Sequence, residues 1–162
     1  MSDAEINNTA RIIDFTLDED TVVRRNPDIE HERKVAIFDL LEENYFSPIG
    51  DTSGPYTLRL SIVEGRLAFD VRNADDQALK TTILALSPFR RIIKEYFEVC
   101  DSYFSAIKSA SPSQIEAIDM GRRGLHNDGS DILRERLADK IELDHPTARR
   151  LFTLICVLHI RG

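Results

Sequence analysis

The stretch Tyr56-Thr57-Leu58-Arg59-Leu60-Ser61-Ile62-Val63-Glu64-Gly65-Arg66-Leu67-Ala68-Phe69-Asp70-Val71-Arg72 decides the fold class. Tyr56, Leu58, Leu60 and Ile62 alternate with Thr57, Arg59, Ser61 and Val63. After Glu64-Gly65 the alternation resumes, with Leu67, Phe69 and Val71 against Arg66, Ala68, Asp70 and Arg72. A period of two is that of a half-buried β-strand, and two such runs around a two-residue turn make a hairpin. The turn sets Ile62 opposite Leu67, Leu60 opposite Phe69, and Leu58 opposite Val71. These side chains share one sheet face, and that face has to be covered.

Outward from the hairpin, Arg11 to Leu17 reads as a first strand, with Ile13, Phe15 and Leu17 on one face and Ile12, Asp14 and Thr16 on the other. Asn26-Pro27 supplies a cap and a first-turn proline for a helix that carries Ile37, Leu40, Leu41 and Tyr45 on one side. It is expected to end near Phe46, before Pro48 and Gly50. Leu79 to Leu86 fits a strand or a helix; the β-branched Thr81, Thr82 and Ile83 favour a fourth strand.

From Pro88 the period changes to that of a helix. Phe89, Ile92, Ile93, Tyr96, Phe97, Cys100, Phe104 and Ile107 form one apolar stripe. Ser111-Pro112-Ser113-Gln114 has the spacing of a capping box and opens a second helix through Ile115, Ile118 and Arg122. Asn127-Asp128-Gly129 is read as a break, Ile132 to Ile141 resumes the pattern, and Asp144-His145-Pro146-Thr147 opens a last helix to about His159. The expected architecture is α+β: a small antiparallel sheet of three or four strands covered by amphipathic helices, with a helical C-terminal half. Residues 1–162 are expected to form a single domain, with a strand, helix and hairpin half at 10–86, a helical half at 88–162, and any disorder confined to 1–8.

The 162-residue chain carries a net charge of −7. The acidity lies in residues 1–87, with 9 Lys/Arg against 17 Asp/Glu; residues 88–162 carry 12 against 11. Such a balance disfavours non-specific nucleic-acid binding. Met1 to Asn8 lacks the basic start and apolar core of a signal peptide, and no apolar stretch reaches the roughly eighteen residues of a membrane span. Cys100 and Cys156, both within apolar helical patterns, read as buried thiols. A cytoplasmic protein without membrane contact is expected.

Four twin arginines stand out in so acidic a chain: Arg24-Arg25, Arg90-Arg91, Arg122-Arg123 and Arg149-Arg150. Arg90-Arg91 and Arg149-Arg150 fall near helix starts, where the dipole disfavours cations, so something should offset them. Salt bridges with acids of the first half, such as Glu30, Glu32, Glu42 and Glu43, are one answer. An anionic ligand on Arg90, Arg91, Arg122, Arg123, Arg149 and Arg150 is the other. Gly121 to Gly129 adds His126 and Asp128 among three glycines; as an active site it would use His126 as acid or base, Asp128 to orient it, and an arginine against developing negative charge. The bland reading of the same stretch is a corner between helices. Glu30-His31-Glu32 cannot share a helical face and reads as an exposed helix start. No phosphate loop, dinucleotide fingerprint, zinc spacing or nucleophile elbow occurs, so neither a cofactor nor a metal is expected.

Several segments carry a resemblance: Glu30-His31-Glu32-Arg33 leading to Leu40-Leu41-Glu42-Glu43-Asn44, Gly54-Pro55-Tyr56, Ser87-Pro88-Phe89-Arg90-Arg91, Gly121-Arg122-Arg123-Gly124-Leu125-His126-Asn127, and Thr147 to Cys156. Together they resemble uncharacterised protein family 0262, of alphaproteobacteria, which implies a bacterial, cytosolic origin and no particular activity. The leading expectation for function is therefore a cytosolic interaction or regulatory module without catalytic activity, with a protein partner or self-association through its arginine-bearing helices. The alternative is an enzyme or ligand-binding protein for a phosphorylated or carboxylated small molecule or RNA, centred on Arg122, Arg123 and His126.

Overall fold

A computed structural model of the chain describes residues 9–18 and 27–159. The elements in order are β1 (Ile12–Leu17), α1 (Pro27–Glu42), β2 (Phe46–Pro48), β3 (Tyr56–Val63), β4 (Arg66–Asn73), β5 (Ala78–Ala85), α2 (Ser87–Ser109), α3 (Pro112–Leu137), β6 (Ile141–Leu143) and α4 (His145–His159). The expected cap at Asn26, the twin Arg24-Arg25 and residues 1–8 lie outside the described residues. Among those described, no helix is long and apolar enough to cross a membrane.

The hairpin forms in the register read from its sequence: Ile62 faces Leu67, Leu60 faces Phe69, and Leu58 faces Val71. Its turn residues Glu64 (φ 52°) and Gly65 (φ 74°) are both left-handed, as a two-residue turn that follows the strand twist requires. Leu58, Leu60, Leu67, Phe69 and Val71 are buried, and Ile62 packs against the same core at its margin. The segment read as Leu79 to Leu86 is a strand up to Ala85: β5 pairs antiparallel with β4.

The four-stranded sheet has the order β1-β3-β4-β5 and is mixed, not wholly antiparallel, because β1 runs parallel to β3. A parallel neighbour needs a long crossover, and the segment containing α1 and β2 provides it. The strict alternation expected of β1 also fails. Its register shifts between Ile12 and Asp14, so Ile12 is buried together with Phe15 and Leu17 while Ile13 is 38% exposed. One bulged residue moves the following side chains to the other face.

α1 ends at Glu42, four residues short of the expected Phe46. Asn44 stops it: its Nδ2 donates to the Leu40 carbonyl at 2.7 Å and to the Ile12 carbonyl at 3.0 Å, and its Oδ1 accepts the Ile12 N–H at 2.7 Å. One amide thus closes the helix and satisfies the outer edge of β1. Phe46 instead opens β2, which pairs antiparallel with β6 in a second, two-stranded sheet absent from the sequence reading. Ile141, read as helical, lies in β6.

In the second half, α2 begins and ends where its stripe predicts, except that Ile107 is 53% exposed. The capping box of α3 is present in both directions: the Gln114 N–H donates to Ser111 Oγ, and the Ser111 N–H donates to Gln114 Oε1. The predicted break at 127–129 does not occur, and α3 runs unbroken from Pro112 to Leu137. Its inward stripe passes through Ile115, Ile118, Arg122, His126, Gly129, Leu133 and Leu137. Gly129 is where Phe152 of α4 lies against the α3 backbone; a Cβ there would overlap three atoms of the Phe152 ring. The glycine that reads as a breaker is a packing site. A single buried cluster joins Leu58, Leu60 and Phe69 of the sheet to Phe89 and Ile93 of α2, Leu133 of α3, and Leu151, Phe152 and Ile155 of α4.

Candidate functional site

α4 starts at Asp144, whose Oδ1 accepts the Thr147 N–H at 3.0 Å and whose carbonyl accepts the Ala148 N–H at 3.1 Å. Thr147 Oγ1 in turn accepts the Tyr45 N–H at 2.9 Å, which fastens the chain just past α1 to the start of α4. Ala148 and Leu151 through Leu158 are buried; Pro146, Arg149 and Arg150 together with the buried Thr153 form a stripe at i, i+3, i+4 and i+7. α1 presents a stripe of the same spacing: Glu32, Val35, Ala36 and Asp39. These two stripes and His126 of α3 line a cleft of about 260 Å³. Arginines stand on the α4 wall and carboxylates on the α1 wall.

Beside the cleft, Arg122 joins three helices. Its Nη1 donates to Glu32 of α1 at 2.9 Å, its Nη2 to Asp119 one turn earlier at 3.0 Å, and its guanidinium carbon lies 4.5 Å from the centre of the Tyr103 ring of α2. Burial works against its charge, but Glu32 and Asp119 outweigh that and hold its pKa above the ordinary value. Arg122 is therefore paired with an acid of the first half, and Glu32 is largely neutralised before any ligand arrives.

Arg149 differs. Its Nε, like that of Arg122, is buried without a hydrogen-bond partner, but among the described residues no carboxylate lies within salt-bridge distance of its guanidinium. Arg150 makes one long contact, Nη1 to the Glu43 carbonyl at 3.5 Å. Asp39 lines the same cleft, and no side chain among the described residues pairs with its carboxylate.

His126 forms the floor. Its ring lies 4.9 Å from that of Tyr96, and its Nε2 is 3.2 Å from Thr153 Oγ1. The Thr153 hydroxyl is also 3.1 Å from the Arg149 carbonyl, and when it donates its one hydrogen there it accepts from a His126 Nε2–H. Burial, then Arg149 and Arg122, depress the His126 pKa to about 4, with Asp119 opposing. At neutral pH the ring is uncharged.

The other residues singled out in the sequence do not converge here. Arg123 is exposed and pairs with Asp119 at 2.8 Å. Arg90 is exposed at the start of α2, and Arg91 pairs with Glu95 at 3.1 Å. Asp128, two residues from His126 on an unbroken helix, faces a different hollow with Arg91, Glu95 and Asp131. His31 is exposed, and His145 Nε2 lies 3.8 Å from Asp131. Asp39 gives no signal in the sequence, because one carboxylate spaced with Glu32, Val35 and Ala36 looks like any half-exposed helix face. No group of His, Cys, Asp and Glu suited to a metal occurs among the described residues.

The arrangement suits binding more than proton transfer. A base whose pKa is depressed to about 4 is poorly matched to neutral pH. Two arginines with spare donors facing a small cleft suit an anionic group.

The chain is similar to proteins of several bacteria. The sequence profile of the Uncharacterised protein family (UPF0262) matches residues 9–161. A UPF0262 protein of Rhodospirillum rubrum is 60% identical over 162 residues, covering 100% of both chains. UPF0262 proteins of Agrobacterium fabrum and Brucella canis are each 59% identical, over 152 and 154 residues, covering 94% of this chain and 96% of theirs. No solved structure matches. The chain, along nearly all of its length and including both walls of the cleft, belongs to the Uncharacterised protein family (UPF0262).

Proposed function

We propose that the protein is a cytoplasmic, non-catalytic binding module whose cleft between α1 and α4 takes a small carboxylate. One observation carries this: Arg149 lines a cleft yet has no carboxylate partner among the described residues. A bound carboxylate would give its guanidinium a charge-assisted hydrogen bond, and bonds of that kind contribute about 1.5–3 kcal/mol. Arg150 supplies a second fork on the same wall. The unpaired Asp39 repels a phosphate dianion more than a carboxylate, and a cleft of about 260 Å³ is small for a nucleotide. RNA is disfavoured on the same grounds. The free, buried thiols of Cys100 and Cys156 support a reducing compartment.

The test is a thermal-shift series with acetate, succinate, glutarate and inorganic phosphate on the wild type and on Arg149→Met. The wild-type midpoint should rise with at least one carboxylate and the variant's should not. Equal responses in both proteins, no response to any carboxylate, or a larger response to phosphate would overturn the reading.

A second reading, self-association through α1, is favoured by Phe38 and Val35, which are 66% and 41% exposed and lie three residues apart on one face. Light scattering of the wild type and of Phe38→Ser decides it: a dimer that the substitution dissolves supports this reading, and a concentration-independent monomer removes it.

A further inference from the structure

The cleft has two walls of opposite charge, and the proposed carboxylate site uses only one. On the α4 wall stand Arg149 and Arg150, both lacking an ion pair among the described residues. On the α1 wall stand Glu32 and Asp39. Glu32 is already held by Arg122 at 2.9 Å, so the unpaired charges facing the cleft are two cations on one side and the single carboxylate of Asp39 on the other. Asp39 is partly buried, where a charge without a partner is less well solvated than at the open surface. Val35, Ala36 and Pro146 supply apolar surface between the two walls.

We infer that the ligand is an amino-carboxylate, its acid groups held by Arg149 and Arg150 and its ammonium held by Asp39. The complement of two cations and one anion is two anions and one cation, the charge pattern of the acidic α-amino acids. Nothing larger than such a molecule is needed to span a cleft of about 260 Å³. Neutral His126 and its partner Thr153 lie at the floor, where they offer hydrogen bonds without adding charge. Fixed opposite charges on facing walls also set orientation, because the reversed ligand would bring ammonium to guanidinium and carboxylate to carboxylate.

This inference rests on the reading of the cleft as a carboxylate site, and the experiment separates the two. Isothermal titration calorimetry compares L-aspartate with succinate and L-glutamate with glutarate, pairs that share a carbon skeleton and differ in the ammonium group. The amino acid of at least one pair should bind about tenfold tighter than its partner, the scale of one hydrogen-bonded ion pair. Asp39→Asn should erase that preference while leaving the affinity for the diacid unchanged or improved. Equal binding within both pairs, or a preference that survives in a folded Asp39→Asn, overturns the amino-carboxylate assignment and leaves the carboxylate site standing. Binding of none of the four ligands removes both. Should the variant not fold, the wild-type comparison within each pair still decides.

Discussion

His126 and Gly129 are neighbours on one helix, and each makes a prediction that its residue type alone does not. His126 has a folded-state pKa of about 4 against an ordinary 6.5, so between those values the unfolded chain binds the proton that the folded chain refuses. Stability contributed by the neutral ring is complete above pH 6.5 and is lost as pH falls toward 4, up to about 3 kcal/mol. Urea unfolding at steps from pH 7.5 to 4.5 should show this loss, and His126→Asn should flatten the upper part of that acid limb. Gly129 faces the Phe152 ring with no room for a Cβ, whereas Gly124 is exposed on α3 and has nothing within 4 Å of an added Cβ. Gly129→Ala should destabilise by about 1–3 kcal/mol through overpacking. Gly124→Ala should stabilise by about 0.5–1 kcal/mol, since a helical glycine costs that much against alanine. Thermal midpoints moving in the same direction for both would contradict the continuous, closely packed α3.

At the scale of elements, Arg122 ties α1 to α3 by an ion pair whose side chains are 22% and 21% exposed, dry enough to matter more than a surface pair. Glu32→Gln and Arg122→Met should each cost about 1–3 kcal/mol, and the double variant should cost clearly less than the sum. Additive losses in chemical denaturation would mean that the bridge does not couple the helices. How much of this was legible in the sequence varies by element. The hairpin was readable to the residue because its pairing is set locally, by a two-residue turn and an unbroken alternation. β6 and β2, three residues each, carry too little pattern to be seen before their pairing. α3 was misread only at 127–129, because Asn127-Asp128-Gly129 signals a break and the packing of Gly129 against Phe152 overrides that signal. The cleft was half legible: Arg149, Arg150 and His126 stand out in the sequence, but that these three share a cleft, and the other arginine pairs do not, depends on how α1, α3 and α4 lie together, which no local spacing states.

For the molecule as a whole, the buried cluster that runs from β3 and β4 through α2 and α3 to α4 predicts one cooperative transition for the expected single domain. Far-ultraviolet circular dichroism and near-ultraviolet tyrosine signals should fall together in urea; separated midpoints would divide the chain into independently folding parts. Phe69→Ala, at the centre of the covered sheet face, should lower stability by about 3–5 kcal/mol without separating the two signals. α4 is the most deeply embedded helix, with every side chain from Leu151 to Leu158 buried, and it also carries the cationic wall that faces α1, more than 100 residues earlier. During translation this order matters. While residues before 145 are emerging from the ribosome, the hairpin can form, but its apolar face has no complete cover and the cleft has only its acidic wall. The proposed ligand site and a finished core thus become complete at the same moment of synthesis, so a nascent chain stalled short of α4 exposes its apolar sheet face to chaperones and proteases and lacks the cationic wall of the cleft.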